Sequence, residues 1–257
     1  MAKAPAKPRP SRRRKPAAQP KRTRSIAGRL TAAGVGLAGT TAVLTGLAIP
    51  TAGPPVVCGG TERWPVKVAA DPDAQTGKID LMPGAPLNVS QVNQQIAPGA
   101  YPVGGRMGVE KKVYTVQGFL SYYKHEGGKG DHDYHVVISD QPGSFEEDEA
   151  KPPNGHSMVV EFPDPQCFAG KTGGLATSPL AQAVVDARTT FEAHADWPKK
   201  TRLTEAIPIT VTGVGFFDFD HKQTGRAVPK IGADGKRKVF ELHPVTQISF
   251  DAAPDPD

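Results

Sequence analysis

The chain has 257 residues, enough to bury the core of one large domain or two small ones, and a formal charge of +5. That charge is lopsided: residues 1–57 hold eleven of the 31 bases and none of the 26 acids, so the remainder is acidic. A domain that tracks phosphates needs the opposite sign on its binding face, which argues against nucleic acid as a partner.

Residues 1–25 are rich in Pro, Ala, Lys and Arg, lack apolar periodicity, and are expected to form a disordered basic tail. Within 26–50, Leu30–Ile49 is a run of twenty uncharged residues, about the length that spans a bilayer core. With the flanking Lys and Arg all on its N-terminal side, the tail is expected in the cytoplasm and the rest of the chain outside, tethered by a single-pass helix in the cell membrane. A second reading stays open, in which the segment is the core of a signal peptide and the protein is secreted. Gly46 and Ala48 have the small size that cleavage requires. Only Cys58 and Cys167 are present, both beyond this segment, and an oxidising compartment favours a disulfide between them over two separate thiols.

Residues 51–110 are rich in Gly, Pro, Asp and Asn and read as an irregular lead-in with one short strand and one short helix at most. From 111 to 251 the pattern is regular. "KKVYTVQGFLSYYKHE" (111–126) alternates and is rich in β-branched and aromatic residues, which predicts a long first strand. "YHVVISD" (134–140) and "SMVVEFP" (157–163) predict the second and third. At 178–197 the period changes: Leu180, Val184, Ala187 and Phe191 recur at helical spacing behind a Ser-Pro start. "IPITVTGVGFFDF" (207–219) and "KVFELHPVTQISFD" (238–251) predict the fourth and fifth strands, with "GADGKR" between them as the tip of an extra hairpin. Residues 252–257 are a short tail. A mainly β domain whose helix falls between strands three and four has the element order of an OB-fold, the five-stranded Greek-key barrel.

"GDHDYHVVISD" places Asp131, Asp133 and His135 at alternate positions, so they share one face while Tyr134, Val136 and Ile138 share the other. On the third strand Met158, Val160 and Phe162 take the core parity and Glu161 the outer one. His221 and Gln223 fall in the loop after the fourth strand, and Glu241 and His243 in the fifth. In an OB-fold the outward face of strands two and three, with its flanking loops, is the usual ligand surface. Three readings follow. His135, His221 and His243 with one carboxylate have the donor count for a divalent ion, zinc or manganese. Asp131, Gln223 and Glu241 can contact a small-molecule or protein ligand. Alternatively the group is a structural network in which Asp131 and Asp133 solvate a turn, His135 pairs with Glu161 across strands, and His243 caps the last strand.

"DHDYHVVISD", "SMVVEFPDPQC", "GVGFFDFDHKQTG" and "ELHPV" together resemble a group of bacterial exported or membrane-anchored proteins, over roughly Cys58 to Phe250. The chain departs from that pattern at Lys222, where the group usually has Gly, and in the longer stretch Lys230–Lys238. The resemblance implies an exported location and the strand register above, and it implies no activity. The functional expectation is an extracytoplasmic binding or interaction module. The alternative is a metal-dependent hydrolase of the phosphodiesterase or nuclease kind, with Asp133 or Glu161 as base for a metal-bound water.

Overall fold

Five runs of alternating apolar residues become the five long strands of one mixed sheet. The computed structural model describes residues 63–99, 105–127, 132–148, 150–168, 178–194 and 200–250. The basic tail, the apolar segment Leu30–Ile49, Cys58, Asp131 and residues 252–257 lie outside the described residues, as does the Cys167 side chain. The Cys58–Cys167 pairing therefore stays an expectation. No helix among the described residues is long and apolar enough to cross a membrane.

In chain order the elements are α1 (Trp64–Lys67), α2 (Pro72–Gln75), β1 (Leu87–Asn88), α3 (Val89–Gln95), β2 (Val113–His125), β3 (Tyr134–Ser139), β4 (Ser157–Phe162), α4 (Ala181–His194), β5 (Lys200–Arg202), β6 (Pro208–Phe219), β7 (Lys230–Ile231) and β8 (Arg237–Ser249). β2 pairs antiparallel with β3 and β6, β3 with β4, and β6 with β8, while β4 and β8 run parallel. Following those pairings from β2 through β3, β4, β8 and β6 leads back to β2. β7 pairs with the start of β8 around the "GADGK" tip, as the turn residues predict.

Period-two alternation divides the strands into two faces. Val116, Leu120, Val136, Ile138, Met158, Val160, Phe162, Val211, Phe217, Phe240 and Leu242 form the main core, joined by Phe191 of α4 and by Val89 and Val92 of α3. Phe191 stacks on Phe162 at 4.8 Å and meets Tyr123 edge-on at 5.9 Å. Ser178 caps the entry to α4, its Oγ accepting from Leu180 N at 3.1 Å. A bulge between Leu120 and Tyr122 resets the alternation of β2, so that Tyr123 joins the core and Tyr122 faces the opposite way. Gly213 and Gly215 accompany register shifts between β6 and β8, where a Cβ would stand 2.9 Å from Pro244 O or 2.8 Å from Val109 O. Close backbone approach is what these glycines supply.

The lead-in is more ordered than its composition suggests. The expected strand and helix are β1 and α3, the latter opened by a capping box between Asn88 and Gln91. Beyond these, α1 and α2 contribute Trp64, Val68, Ala69, Ala74 and Ile79 to a second apolar cluster with Val113, Val184 and Val214. The described residues form one compact unit. A buried ionic network ties the lead-in to the sheet. Glu110 is wholly buried and accepts four bonds: two from Arg63 at 2.6 and 2.7 Å, one from Phe217 N at 2.9 Å and one from Met107 N at 2.8 Å. Arg106 beside it donates to Asp71, to Val66 O and to Glu110 O. Short polar segments carry no periodicity, so this anchoring has no signature in the sequence pattern.

Candidate functional site

Opposite the core face, three strands align a histidine, a glutamate and a histidine. His135 of β3 stands directly across from Glu161 of β4, and the parallel register of β4 with β8 brings His243 to the other side of Glu161. His135 Nδ1 lies 3.4 Å from Glu161 Oε1, and His243 Nδ1 lies 2.5 Å from Glu161 Oε2, a contact without the alignment of a hydrogen bond. All three side chains are buried, His243 completely. A backbone carbonyl only accepts, so Nε2 of His135 donates to Thr224 O at 2.9 Å. Phe216 packs its ring edge-to-face against His243 at 5.7 Å.

Above this row opens a polar cavity of about 390 Å³. Its base and sides come from Tyr122, His135, Glu161 and Asp218, and its rim from Lys124 and Glu126 on one side and His221, Gln223 and Thr224 on the other. The loop after β6 closes over the sheet because Gly225, at φ +70°, brings its backbone down onto Val137, where a Cβ would come within 2.4 Å of Cγ2. α1 reaches in from the lead-in, setting Lys67 Nζ 3.6 Å from Asp218 Oδ2. His221 Nε2 approaches the same oxygen at 3.5 Å.

Charge in so dry a place is set by neighbours. Burial opposes ionisation of Glu161, yet His243, Lys67 and His135 together outweigh it and hold the carboxyl well below its usual range. Glu241, one alternation along β8, goes the other way: burial first, then the charges of Glu161 and Asp218, push it well above that range. Gln223 Nε2 donates to Glu241 Oε1 at 2.9 Å. Burial also works against the charge on Asp218, but its bond to His221 and the nearby Lys67 lower its pKa, and the same bond raises that of His221. Carboxyls pushed in opposite directions thus sit side by side, the pattern that marks functional clefts more often than plain surfaces.

The structure brings together most of the residues that the sequence nominates. Asp133, Glu161 and His243 gather with one donor atom each, all within 4.8 Å of one another. His135, Gln223 and Glu241 adjoin them, whereas His221 sits further out at the rim, exposed beside Asp218. Asp131 lies outside the described residues. Two details of the structural-network expectation change. Asp133 is 1% exposed and does not solvate a turn. His243 is mid-strand rather than a cap, since β8 continues to Ser249. The cross-strand approach of His135 to Glu161 is present as expected. Lys67, Tyr122, Lys124 and Asp218 were missed as site residues. Asp218 was within reach, because it shares parity with Val214 and Phe216; Tyr122 was hidden by the bulge and Lys67 by a segment without period. Comparison of the chain with protein-family models and with curated proteins gives no match.

Proposed function

We propose that the chain is an extracytoplasmic binding module, tethered by its N-terminal segment, that takes a small polar ligand in the cavity over Glu161. The observation that carries this reading is the cavity's lining, which combines Lys67, Lys124 and His221 with Glu126, Glu161 and Asp218, and has Tyr122 beside them. A site with both signs of charge and one aromatic ring suits a small ligand bearing hydroxyl, amino or carboxyl groups, and the volume lies in the range of such pockets. The pairing cycle β2–β3–β4–β8–β6, with a parallel β4–β8 step and α4 between β4 and β6, supports an OB-like barrel. In that fold the outward face of β3 and β4 and the loop after β6 form the ligand surface. The basic flank of Leu30–Ile49 supports the location. The hydrolase reading employs the same residues and requires a bound ion, so it depends on the site proposed below.

Two experiments test this. A reporter fused after Phe250 is expected to be active outside the cytoplasm and one placed before Ser25 inactive there; the reverse pattern refutes the location. Heteronuclear NMR of the full chain with a panel of monosaccharides, amino acids and nucleotides is expected to move the Tyr122, His135 and His221 resonances together. Tyr122→Ala should weaken that response on the order of tenfold, since removing a well-buried contact costs about 1–2 kcal/mol. Absence of any response at millimolar concentrations would count against a small-ligand site.

A further inference from the structure

Next to the cavity, and joined to it through Glu161, lies a buried polar cluster that a ligand in the cavity does not account for. Asp133, Asp218, Glu161 and Glu241 are each less than a tenth exposed; Asp133 and Glu161 gather with His243, and Lys67 reaches Asp218. Buried carboxylates are normally paired with cations or bound to metals. His243 is completely buried, and among the described residues its Nε2 has no hydrogen-bond partner; Oε2 of Glu161 and Oε2 of Glu241 also lack one there. Buried imidazoles ordinarily satisfy both nitrogens. A buried ring nitrogen without a hydrogen-bond partner, on a side chain that adjoins two carboxylates, is a vacant donor.

We propose that this cluster is a divalent transition-metal site in which Asp133, Glu161 and His243 each supply one donor. It deepens the binding-module reading and rests on it. The three donor atoms come from three different strands or strand approaches and lie within 4.8 Å of one another. With metal–donor bonds of about 2.0–2.2 Å, donors at tetrahedral angles stand about 3.3–3.6 Å apart, so the set closes on an ion by contraction of up to about 1.5 Å. One imidazole with two carboxylates suits zinc, cobalt or manganese and leaves at least one coordination position open. The surroundings supply the supporting shell such a site needs. His135 is held between Glu161 and the Thr224 carbonyl, and Gln223 steadies Glu241. Two positive charges brought into this cluster offset the mutual repulsion of its carboxylates.

The test uses the full chain, stripped by chelator and titrated with cobalt(II). Ligand-field bands that saturate at one equivalent, are displaced by zinc, and accompany a melting temperature that climbs with cobalt concentration are the expected result. His243→Gln should weaken binding on the order of 100-fold or more, whereas His221→Ala should leave it within about threefold. Should His243→Gln fail to fold by circular dichroism, Asp133→Asn takes its place with the same expected loss. The absence of saturable bands and of any rise in melting temperature overturns the proposal, as does unchanged binding in the folded His243→Gln protein. If cobalt does not bind while the small-molecule panel still moves the Tyr122 and His221 resonances, the metal site falls and the ligand pocket stands. If both are silent, both fall.

Discussion

Replacement of Glu110 by alanine is expected to destabilise the protein by about 3–5 kcal/mol, the cost of leaving a buried charge without its partner. Four donors converge on this carboxylate and lose it at once: the backbone N–H groups of Met107 and Phe217 and both amine arms of Arg63, which still reach the Phe217 and Gly105 carbonyls. Water has little access, since Glu110 is fully buried and the Arg63 side chain is 17% exposed. Glu110→Gln keeps an acceptor for one backbone N–H but loses the ionic bonds, so its loss should be intermediate. Chemical denaturation of the three proteins checks this through the midpoint at constant slope. A change below about 1 kcal/mol for the alanine variant would show that the lead-in does not depend on the network. Total stabilities of 5–15 kcal/mol are typical, so the expected loss is a large share.

Glu161→Ala and Glu241→Gln should move stability in opposite directions at neutral pH in chelator-treated protein. Glu161 is held ionised by His243, Lys67 and His135, so its charge stabilises the fold above the ordinary carboxyl value near 4.5. That contribution disappears as pH falls towards its depressed folded value. Removing the side chain at pH 7 leaves His135 and His243 buried without it and should cost about 3–5 kcal/mol. Glu241 has the opposite sign. Its raised pKa means that the folded state binds more proton than the unfolded one as pH climbs from that ordinary value, so stability falls across that window. Glutamine at 241 still offers an oxygen to Gln223 and carries no charge, so this decline should flatten and the variant should melt higher than the parent at pH 8. Melting curves from pH 4.5 to 8 decide the matter. A Glu241→Gln protein less stable than the parent at pH 8 would refute the assignment of opposed roles.

Why some of this was readable and some was not follows from the range of the forces involved. Alternation along β3 and β4 is a local consequence of strand geometry, and it separated His135 and Glu161 from Val136, Val160 and Phe162 before any contact was known. The helical spacing of Val184, Ala187 and Phe191 is equally local, and it placed α4 between β4 and β6. The partnership of Glu161 with His243 depends on β8 lying beside β4, a long-range pairing that the OB element order suggests and periodicity cannot supply. Tyr122 escaped because one bulge reverses parity, and Lys67 because a four-residue helix has no period to detect. His221 was nominated as a ligand on residue type alone; the loop instead turns it towards Asp218.

The parallel step between β4 and β8 bears on how the protein is made. β2, β3 and β4 can pair as a meander once Phe162 has left the ribosome, but their far edge stays open until Arg237–Ser249 has been synthesised and slotted between β4 and β6. Such distant pairing is slow to find. The strand that completes the sheet also carries Glu241 and His243, so a truncated chain lacks the chemistry of the pocket together with the last neighbour of β4. An unfinished copy would present an unpaired edge, a template for aggregation or a mark for proteolysis, and it could not compete for whatever the finished protein binds.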